Sequence, residues 1–132
     1  MPILKTPKME LNEPQIRDIL IGCAHVFIEK CQSMPGQGIS SIARYMTGYG
    51  IIRGICVGLG IPYTLVHPKT WKGVMMKDMP KEKDASILRA LQLYPKIDLP
   101  RKKDHGKADA LLLSLWGKLF LEGRLKSTTN RL

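Results

Sequence analysis

The stretch AHVFIEK, residues 24–30, decides the fold class of this chain. It is a short apolar run closed by an acidic residue, Glu29, and it follows a helical pattern that ends at Gly22. Short continuous apolar runs are typical of parallel strands whose two faces are both covered by helices. The stretch therefore predicts a buried parallel strand that has Glu29 at its carboxyl end.

Helical and strand patterns alternate on both sides of this stretch. Residues 10–22 predict a helix with Asn12 as its N-cap, and residues 61–68, IPYTLVHP, predict a second strand. Further helices are predicted in residues 39–60, from 69 to 76, within 78–95 and in 108–123. The order α-β-α-β-α-α indicates an α/β layer architecture with at least two parallel strands.

The two ends of the chain have weaker patterns. Residues 1–9 contain two prolines and no period, which predicts an arm. Residues 123–132 are polar and predict a flexible tail. A single domain over residues 1–132 is expected, because the chain is too short for two ordinary domains.

Three glycines recur at a spacing of four residues inside the predicted helix 39–60: Gly50, Gly54 and Gly58. Each costs a helix about 0.8–1 kcal/mol relative to alanine. Their alignment on one face predicts a flat stripe that another backbone can approach closely. The partner on this stripe is the sheet, another helix or a second subunit.

The charge of the chain indicates the class of its partner. Lys and Arg total 21 against 11 Asp and Glu, which gives a net charge of +10 at pH 7. This excess favours nucleic acid, ahead of an anionic membrane. The N-terminus lacks a secretory signal pattern, and the longest apolar run, residues 51–61, contains Arg53 and is too short to cross a bilayer. We therefore expect a soluble, non-secreted protein with no membrane partner.

The cysteines predict free thiols. Cys23, Cys31 and Cys56 form an odd set without C-x-x-C spacing, and the chain has three histidines in separate segments. A structural zinc site is therefore not expected. Buried, unpaired thiols in a reducing compartment fit this pattern better.

The candidate catalytic residues are Glu29 and the acidic residues in the stretch 102–113, KKDHGKADALLL. Strand ends hold the ligand sites of open α/β sheets, although Glu29 also fits a solvated strand end. On a helix His105 and Asp109 lie one turn apart on one face, with Asp104 at the loop edge, but Asp109 also fits a first-turn acid that favours the helix dipole. Together the acids predict a site for hard divalent cations and phosphodiester chemistry.

Basic residues fall in the loops at one predicted edge of the sheet. A run of charges is often only a solvated face, but these positions would also hold a polyanion. They are Lys69, Lys72, Lys77, Lys81, Lys83, Arg101, Lys102 and Lys103.

At this point the sequence resembles a known family, the RuvC-type Holliday junction resolvases, and in particular their phage and organelle branch. The resemblance covers about residues 11–120, in the same order and spacing. It is carried by VFIEKCQSMPGQGISS (26–41), GYGIIRGICVGLGIPYTLVHPKTWK (48–72), KEKDASILRALQLYP (81–95) and KKDHGKADALLL (102–113). It implies a ribonuclease-H-like fold and a homodimer that cuts four-way DNA junctions with two Mg²⁺ or Mn²⁺ ions.

The resemblance also implies roles for individual residues. Glu29 matches the strand-end glutamate of the family, and Asp109 matches its final helix aspartate; both are metal ligands. His105 is the closest match to a further helix ligand, with Asp104 as the alternative. Lys72 and Lys83 match basic residues that approach the DNA backbone, and the loop 32–41, with Ser40 and Ser41, matches the segment that enters the junction near its crossover. Lys69, Arg101, Lys102 and Lys103 are expected DNA contacts from the pattern of charges. The glycine-striped segment 39–60 corresponds to the dimer-forming region.

The sequence departs from the family at its beginning. The family opens with a strand whose DPG-like turn carries the first metal-binding aspartate, whereas this sequence begins MPILK and contains no such motif. The expected fold is therefore α/β and ribonuclease-H-like, N-terminally truncated, with the first strands missing. An active endonuclease, a basic protein that binds junctions without cutting, and an incomplete fragment of the resolvase are the alternatives. The expected location is bacterial cytoplasm, a phage-infected cell or an organelle matrix.

Overall fold

A computed structural model of the chain describes residues 3–4, 10–30, 36, 38–82 and 84–125. Contacts divide the chain into two compact units: unit 1 comprises Met1–Val26 and Cys31–Thr64, and unit 2 comprises Phe27–Lys30 and Leu65–Leu132. One folding domain over the whole chain stays a prediction. Within the described ranges, no helix is both long and apolar enough to cross a membrane.

Unit 1 begins with a pair of very short strands. Strand β1 (Ile3–Leu4) pairs antiparallel with β2 (Glu10–Leu11), with Ile3 opposite Leu11. The prediction of an arm was therefore wrong for residues 3–4, because backbone pairing with Glu10–Leu11 orders them despite the lack of a sequence period. Two-residue strands leave no room for the alternation by which a strand is recognised.

Helix α1 (Glu13–Leu20) follows as predicted. The side chain of Asn12 caps it, because the backbone N–H of Gln15 donates a hydrogen bond of 3.1 Å to Asn12 Oδ1. This bond satisfies one of the backbone donors that every helix start leaves free. Ile16 is the buried residue of the helix.

Helix α2 (Ile39–Leu59) covers the glycine-striped segment and ends at Gly60, whose φ of 71° closes the helix in the left-handed region. Only Gly48 and Cys56 are buried along its length. A Cβ placed on Gly50, Gly54 or Gly58 would meet no described atom within 4 Å beyond its chain neighbours and the nearby backbone of its own helix. In the part of the chain that the structure describes, these three glycines therefore do not make the close backbone contact that the stripe predicts.

Two strands form the predicted parallel sheet, β3 (Val26–Glu29) and β4 (Tyr63–Val66). Val26 N donates to Pro62 O at 3.1 Å, and Lys30 N donates to Val66 O at 2.7 Å. Both strands predicted from the sequence are confirmed, and the combination of helices with a small parallel sheet agrees with the α/β class. Ribonuclease-H-like layering stays a prediction.

Unit 2 packs three helices around two apolar clusters. They are α3 (Pro68–Met75), α4 (Ala85–Leu93) and α5 (His105–Leu121), the last preceded by a 3-10 turn at Lys102–Asp104. Helix α5 contacts both α3 and α4, as its nearly all-round apolar sequence predicts. The core between α3 and α5 consists of Val66, Trp71, Met75, Leu112, Leu113 and Trp116. A smaller cluster joins α4 to α5 and consists of Ala90, Leu99 and Ala108.

A glycine on α5 lets β3 come close to that helix. A Cβ on Gly117 would overlap the ring of Phe27. The same ring lies edge-on to Trp116, with 6.0 Å between the ring centroids. Since Phe27 is two residues before Glu29, this contact sets the distance between the end of β3 and α5.

Some sequence predictions concern residues that the structure does not describe or places differently. The predicted tail lies outside the described residues from 126 onward, as does Cys31. Cys23 and Cys56 are free, as predicted. Burial was correct for Cys56 but wrong for Cys23, which is exposed because it lies in the open turn after α1.

Candidate active site

Glu29 lies at the carboxyl end of β3, as predicted, and is half-buried in unit 2. Burial away from water raises the pKa of its carboxyl group, and the nearby Asp109 carboxylate raises it further. Lys72, the Trp71 indole and His67 act in the opposite direction and lower the pKa. The neighbouring groups that lower the pKa of Glu29 therefore offset only part of the increase caused by burial and by Asp109.

Asp109 is the second acidic residue of this site. It lies in the second turn of α5, because that helix begins at His105, three residues before the predicted start. The first turn of α5 contains no acidic residue, so the interpretation of Asp109 as a first-turn acid was wrong. Its half-buried carboxylate is instead close enough to Glu29 to raise the pKa of that group.

Asp104 has a different environment, although it is only five residues away. Its side chain is 3% exposed and accepts hydrogen bonds from the Arg101 backbone N–H at 3.0 Å and from Arg101 Nη2 at 2.9 Å. These Arg101 hydrogen bonds lower the pKa of Asp104. Arg101 thus engages both carboxylate oxygens, which gives Asp104 the environment of an acid that orders the turn before α5.

A cavity of about 730 Å³ lies beside Asp109 in unit 2. Helix α3 contributes lysines to its wall, the segment 78–82 forms the rim, and His105 and Asp109 lie on α5. The lysines that line the cavity are Lys69, Lys72 and Lys81, and its carboxylates are Asp78, Glu82 and Asp109. The face that His105 and Asp109 were predicted to share therefore borders a cavity that contains charges of both signs.

Hydrogen bonds from side chains hold the beginnings of α3 and α5, which border this cavity. His67 accepts a hydrogen bond of 3.2 Å from the Lys69 backbone N–H through Nδ1 and so caps the start of α3. Ser86 on α4 donates to the backbone carbonyl of His105 at 3.4 Å. These bonds fix the backbone of Lys69 and His105, whose side chains line the cavity.

Arg89 on α4 holds the far end of α3 and was not singled out from the sequence. Its Nε donates to Met75 O at 2.9 Å, and its Nη2 donates to Lys77 O at 2.8 Å. The adjoining Asp78 has a φ of 65°, which is unusual for a residue other than glycine. Arg89 thereby fixes the turn that leads into the rim of the cavity.

The other predicted DNA-contacting residues have varied positions. Ser40 and Ser41 are exposed in the first turn of α2, in unit 1. Lys103 is exposed, whereas Arg101 is paired with Asp104. Lys83 and the side chain of Lys102 lie outside the described residues.

The described residues bring together two carboxylates, those of Glu29 and Asp109, rather than a full metal cage. Over the described ranges, no group of three or more His, Cys, Asp or Glu side chains is arranged to hold a metal ion. His105 shares the cavity with Asp109, but it does not complete such a group.

Comparison with known proteins connects this chain with the resolvases. No protein-family model matches it. It is 32% identical over 92 residues to the chloroplastic Holliday junction resolvase MOC1 of Chlamydomonas reinhardtii. The matched segment makes up 68% of this chain. The chain spans about a tenth of the length of that relative, since the match covers 10% of it. This similarity supports a distant relationship to Holliday junction resolvases.

Proposed function

We propose that this chain acts on four-way DNA junctions as a RuvC-type endonuclease that hydrolyses phosphodiester bonds with the help of divalent cations. The observation that carries the proposal is the pair of interacting carboxylates of Glu29 and Asp109, of which Asp109 lines a cavity together with Lys69, Lys72 and Lys81. The similarity to a resolvase over 92 residues supports the choice of substrate. The net charge of +10 is consistent with a polyanionic partner.

The two carboxylates suit a hard cation. Mg²⁺ is commonly bound through one or two carboxylates together with water and substrate phosphate. Glu29 and Asp109 therefore fit one Mg²⁺ or Mn²⁺ ion, and a bound ion would supply Lewis-acid stabilisation of the phosphate. The ligands of a second ion, which the family resemblance implies, are not assembled among the described residues.

The remaining side chains of the cavity would act on the DNA. Lys69 and Lys81 would neutralise backbone phosphates, and Lys72 would do so next to Glu29, whose pKa it lowers. His105 is better placed than Asp104 to assist Asp109, because Asp104 is already engaged by Arg101. Ser40 and Ser41, on the other unit, are proposed to contact the junction through the exposed start of α2.

The proposed enzyme is a homodimer formed through α2. This helix exposes Met46 and Val57, and no described atom packs closely on its glycine stripe. A second copy would cover this face. The chloroplast location of the relative supports an organelle matrix as the place of action, with bacterial cytoplasm as the other option.

A cleavage assay tests the proposal. Purified protein in excess is incubated with an end-labelled four-way junction and with a linear duplex, each with Mg²⁺ or Mn²⁺. We expect nicks near the crossover of the junction only, and a loss of about 100-fold or more for Glu29→Gln or Asp109→Asn, because each removes a charge from the ion site. Asp18→Asn, a change in an exposed acid of α1, is the matched control and should cut like the wild type.

A wild-type protein that leaves the junction intact at high excess with both metals would refute the nuclease proposal. Junction binding without cleavage is then the second candidate, favoured by the observation that the described residues gather two carboxylates rather than three. A mobility-shift competition at about 150 mM salt decides it, since nonspecific phosphate contacts weaken as the salt concentration rises. Equal affinity for junction and linear duplex would contradict junction recognition.

A further inference from the structure

Arg53 is a half-buried cation on α2 that two tyrosines hold in place. Its guanidinium carbon lies 5.2 Å from the ring centroid of Tyr49, one turn earlier on the same helix, and 5.8 Å from that of Tyr63 on β4. Its Nε donates a hydrogen bond of 3.2 Å to the Tyr63 hydroxyl. A guanidinium is attracted to the negative face of an aromatic ring at such distances. These contacts fix the orientation of the guanidinium within unit 1.

No acid neutralises Arg53 in the part of the chain that the structure describes. The ion pairs found there belong to Arg17, Arg101, Lys107 and Arg124. Helix α2 itself contains no aspartate and no glutamate. Removing a charge from water is unfavourable unless a partner compensates it. A half-buried guanidinium without a counterion is therefore suited to binding an anion.

The unused edge of this guanidinium fits two oxygens of one anion. Among the described residues, Arg53 donates its hydrogen bond through Nε, which leaves the N–H groups of Nη1 and Nη2 available. Two parallel N–H donors of an arginine match two oxygens of a phosphate or of a carboxylate. Because the tyrosines already hold the side chain, binding an anion requires little further ordering of it.

A phosphate suits this site better than a carboxylate from a second copy of the chain. If two copies pack through α2, the facing helix brings no acid to Arg53, since α2 contains none. The net charge of +10 favours a polyanion. DNA, the proposed substrate, carries one phosphate per nucleotide along its backbone and is bound largely through these charges.

We propose that Arg53 binds a backbone phosphate of DNA through Nη1 and Nη2. The proposal rests on the proposed function, since it takes DNA as the ligand. It adds a DNA contact in unit 1, whereas the lysines of the candidate active site belong to unit 2. Phosphate contacts position a protein on DNA and carry no sequence information. Arg53 therefore increases the affinity for a junction and for a linear duplex alike.

Two substitutions separate the charge of Arg53 from its shape. Arg53→Gln removes both the charge and the pair of donors, whereas Arg53→Lys keeps the charge but replaces the planar group with a compact ammonium. Arg17→Gln is the matched control. It removes the same charge from unit 1, at an exposed residue that already pairs with Asp18.

The first measurement is DNA binding by the full chain, followed by fluorescence anisotropy without divalent cations from about 50 to 200 mM salt. Arg53→Gln should weaken binding to a four-way junction and to a linear duplex equally, by about tenfold. It should also reduce the slope of log K against log salt by about one per bound protomer. Arg53→Lys should weaken binding but keep the wild-type slope. Arg17→Gln should keep the slope and change the affinity by less than about twofold.

The second measurement distinguishes two sources of phosphate. The NMR resonance of the Arg53 Nε–H, assigned by its absence from Arg53→Gln, is followed in the wild type during titrations with a short DNA duplex and with inorganic phosphate. We expect it to shift with the duplex at concentrations at which inorganic phosphate leaves it unchanged. A shift with inorganic phosphate alone would assign the site to a small phosphate compound and overturn the DNA contact.

The outcomes separate this inference from the nuclease proposal. If Arg53→Gln keeps the wild-type salt slope and the Nε–H resonance ignores DNA, the inference fails whether or not the protein cuts junctions. If Arg53→Gln shifts the monomer–dimer equilibrium in sedimentation velocity but keeps wild-type DNA affinity, Arg53 serves a protein contact and the inference also fails. If the wild type cuts no junction but binds DNA with a slope that depends on Arg53, the nuclease proposal fails and the phosphate contact stands.

Discussion

Helix α5 buries Ala108, Leu112, Leu113, Trp116 and Gly117 within 17 residues, whereas α2, with 21 residues, buries only Gly48 and Cys56. The two helices have the same average hydrophobicity. On α2, Val57 is 69% exposed and Ile39 is 88% exposed. Two helices with equal apolar content thus differ in burial: α5 lies in a core, whereas α2 exposes most of its apolar side chains. The average hydrophobicity of a helix does not predict this difference, because burial depends on the elements that pack against the helix.

The largest expected effect contrasts a large apolar residue from each helix. Leu112→Ala on α5 should lower the free energy of unfolding by about 2–5 kcal/mol, because it leaves a cavity in the core. Val57→Ala on α2 should change it by less than about 0.5 kcal/mol, since that side chain is exposed. Urea unfolding of both variants measures the difference.

The protein concentration sharpens this contrast. If α2 forms the proposed dimer interface, Val57→Ala should lower the unfolding midpoint at high protein concentration more than at low concentration. The Leu112→Ala effect should be the same at both. Similar destabilisation by the two substitutions at low concentration would contradict the distinction between a core helix and a surface helix.

The glycines of the two helices provide the second contrast. Gly117→Ala should destabilise the protein by about 1–3 kcal/mol, because the new methyl group overlaps Phe27. At low protein concentration, where no second copy covers α2, Gly54→Ala should instead stabilise it by up to about 0.8–1 kcal/mol, because alanine favours the helix and the added Cβ meets open space. Thermal or urea melts measure both changes in stability. If both variants are stabilised, or both are destabilised, the distinction between a crowded Gly117 and an open Gly54 is contradicted.

The smallest effect concerns the beginnings of the two helices. Helix α2 starts at Gly38 without a side-chain cap, whereas the turn before α5 is held by Asp104 and Arg101. The pKa of folded Asp104 lies below its ordinary 3.8. Its ionised form therefore stabilises the protein above that pH, and this stability is lost as the pH falls through the lower, folded-state pKa.

Asp104→Asn should consequently lower stability at neutral pH and flatten the loss of stability on acidification from about pH 5 downward. Denaturant melts across this pH range check the prediction, with Asp18→Asn as the control because that acid is exposed. Parallel stability curves for the wild type and Asp104→Asn would rule out a stabilising role for the ion pair with Arg101.

The sequence was sufficient for those parts of the fold that local patterns determine. The Asn12 cap and the strand ending at Glu29 follow from residues close in the chain. The start of α5 was placed too late, because Gly106 and the charged residues around it resemble a loop. Tertiary packing against α4 overrides that local preference and extends the helix back to His105.

The candidate site was predictable only in part. Glu29 and Asp109 were singled out from their positions, and the structure brings them close enough to interact. The contributions of Arg89 and Gly117 were not recognised. Each depends on a contact with a distant residue, such as the bond from Arg89 to Lys77 O, 12 residues away, and no local pattern reports such contacts.

The hydrogen bonds of Arg89 have a consequence for the thermodynamics of binding. They tie Met75 O and Lys77 O to α4 before any ligand arrives. Fixing the backbone of one residue costs about 1–2 kcal/mol in conformational entropy. For the turn after α3, folding rather than ligand binding bears that cost. If the proposed DNA ligand enters the cavity, it meets a preorganised rim, and more of its attraction to the site appears as affinity.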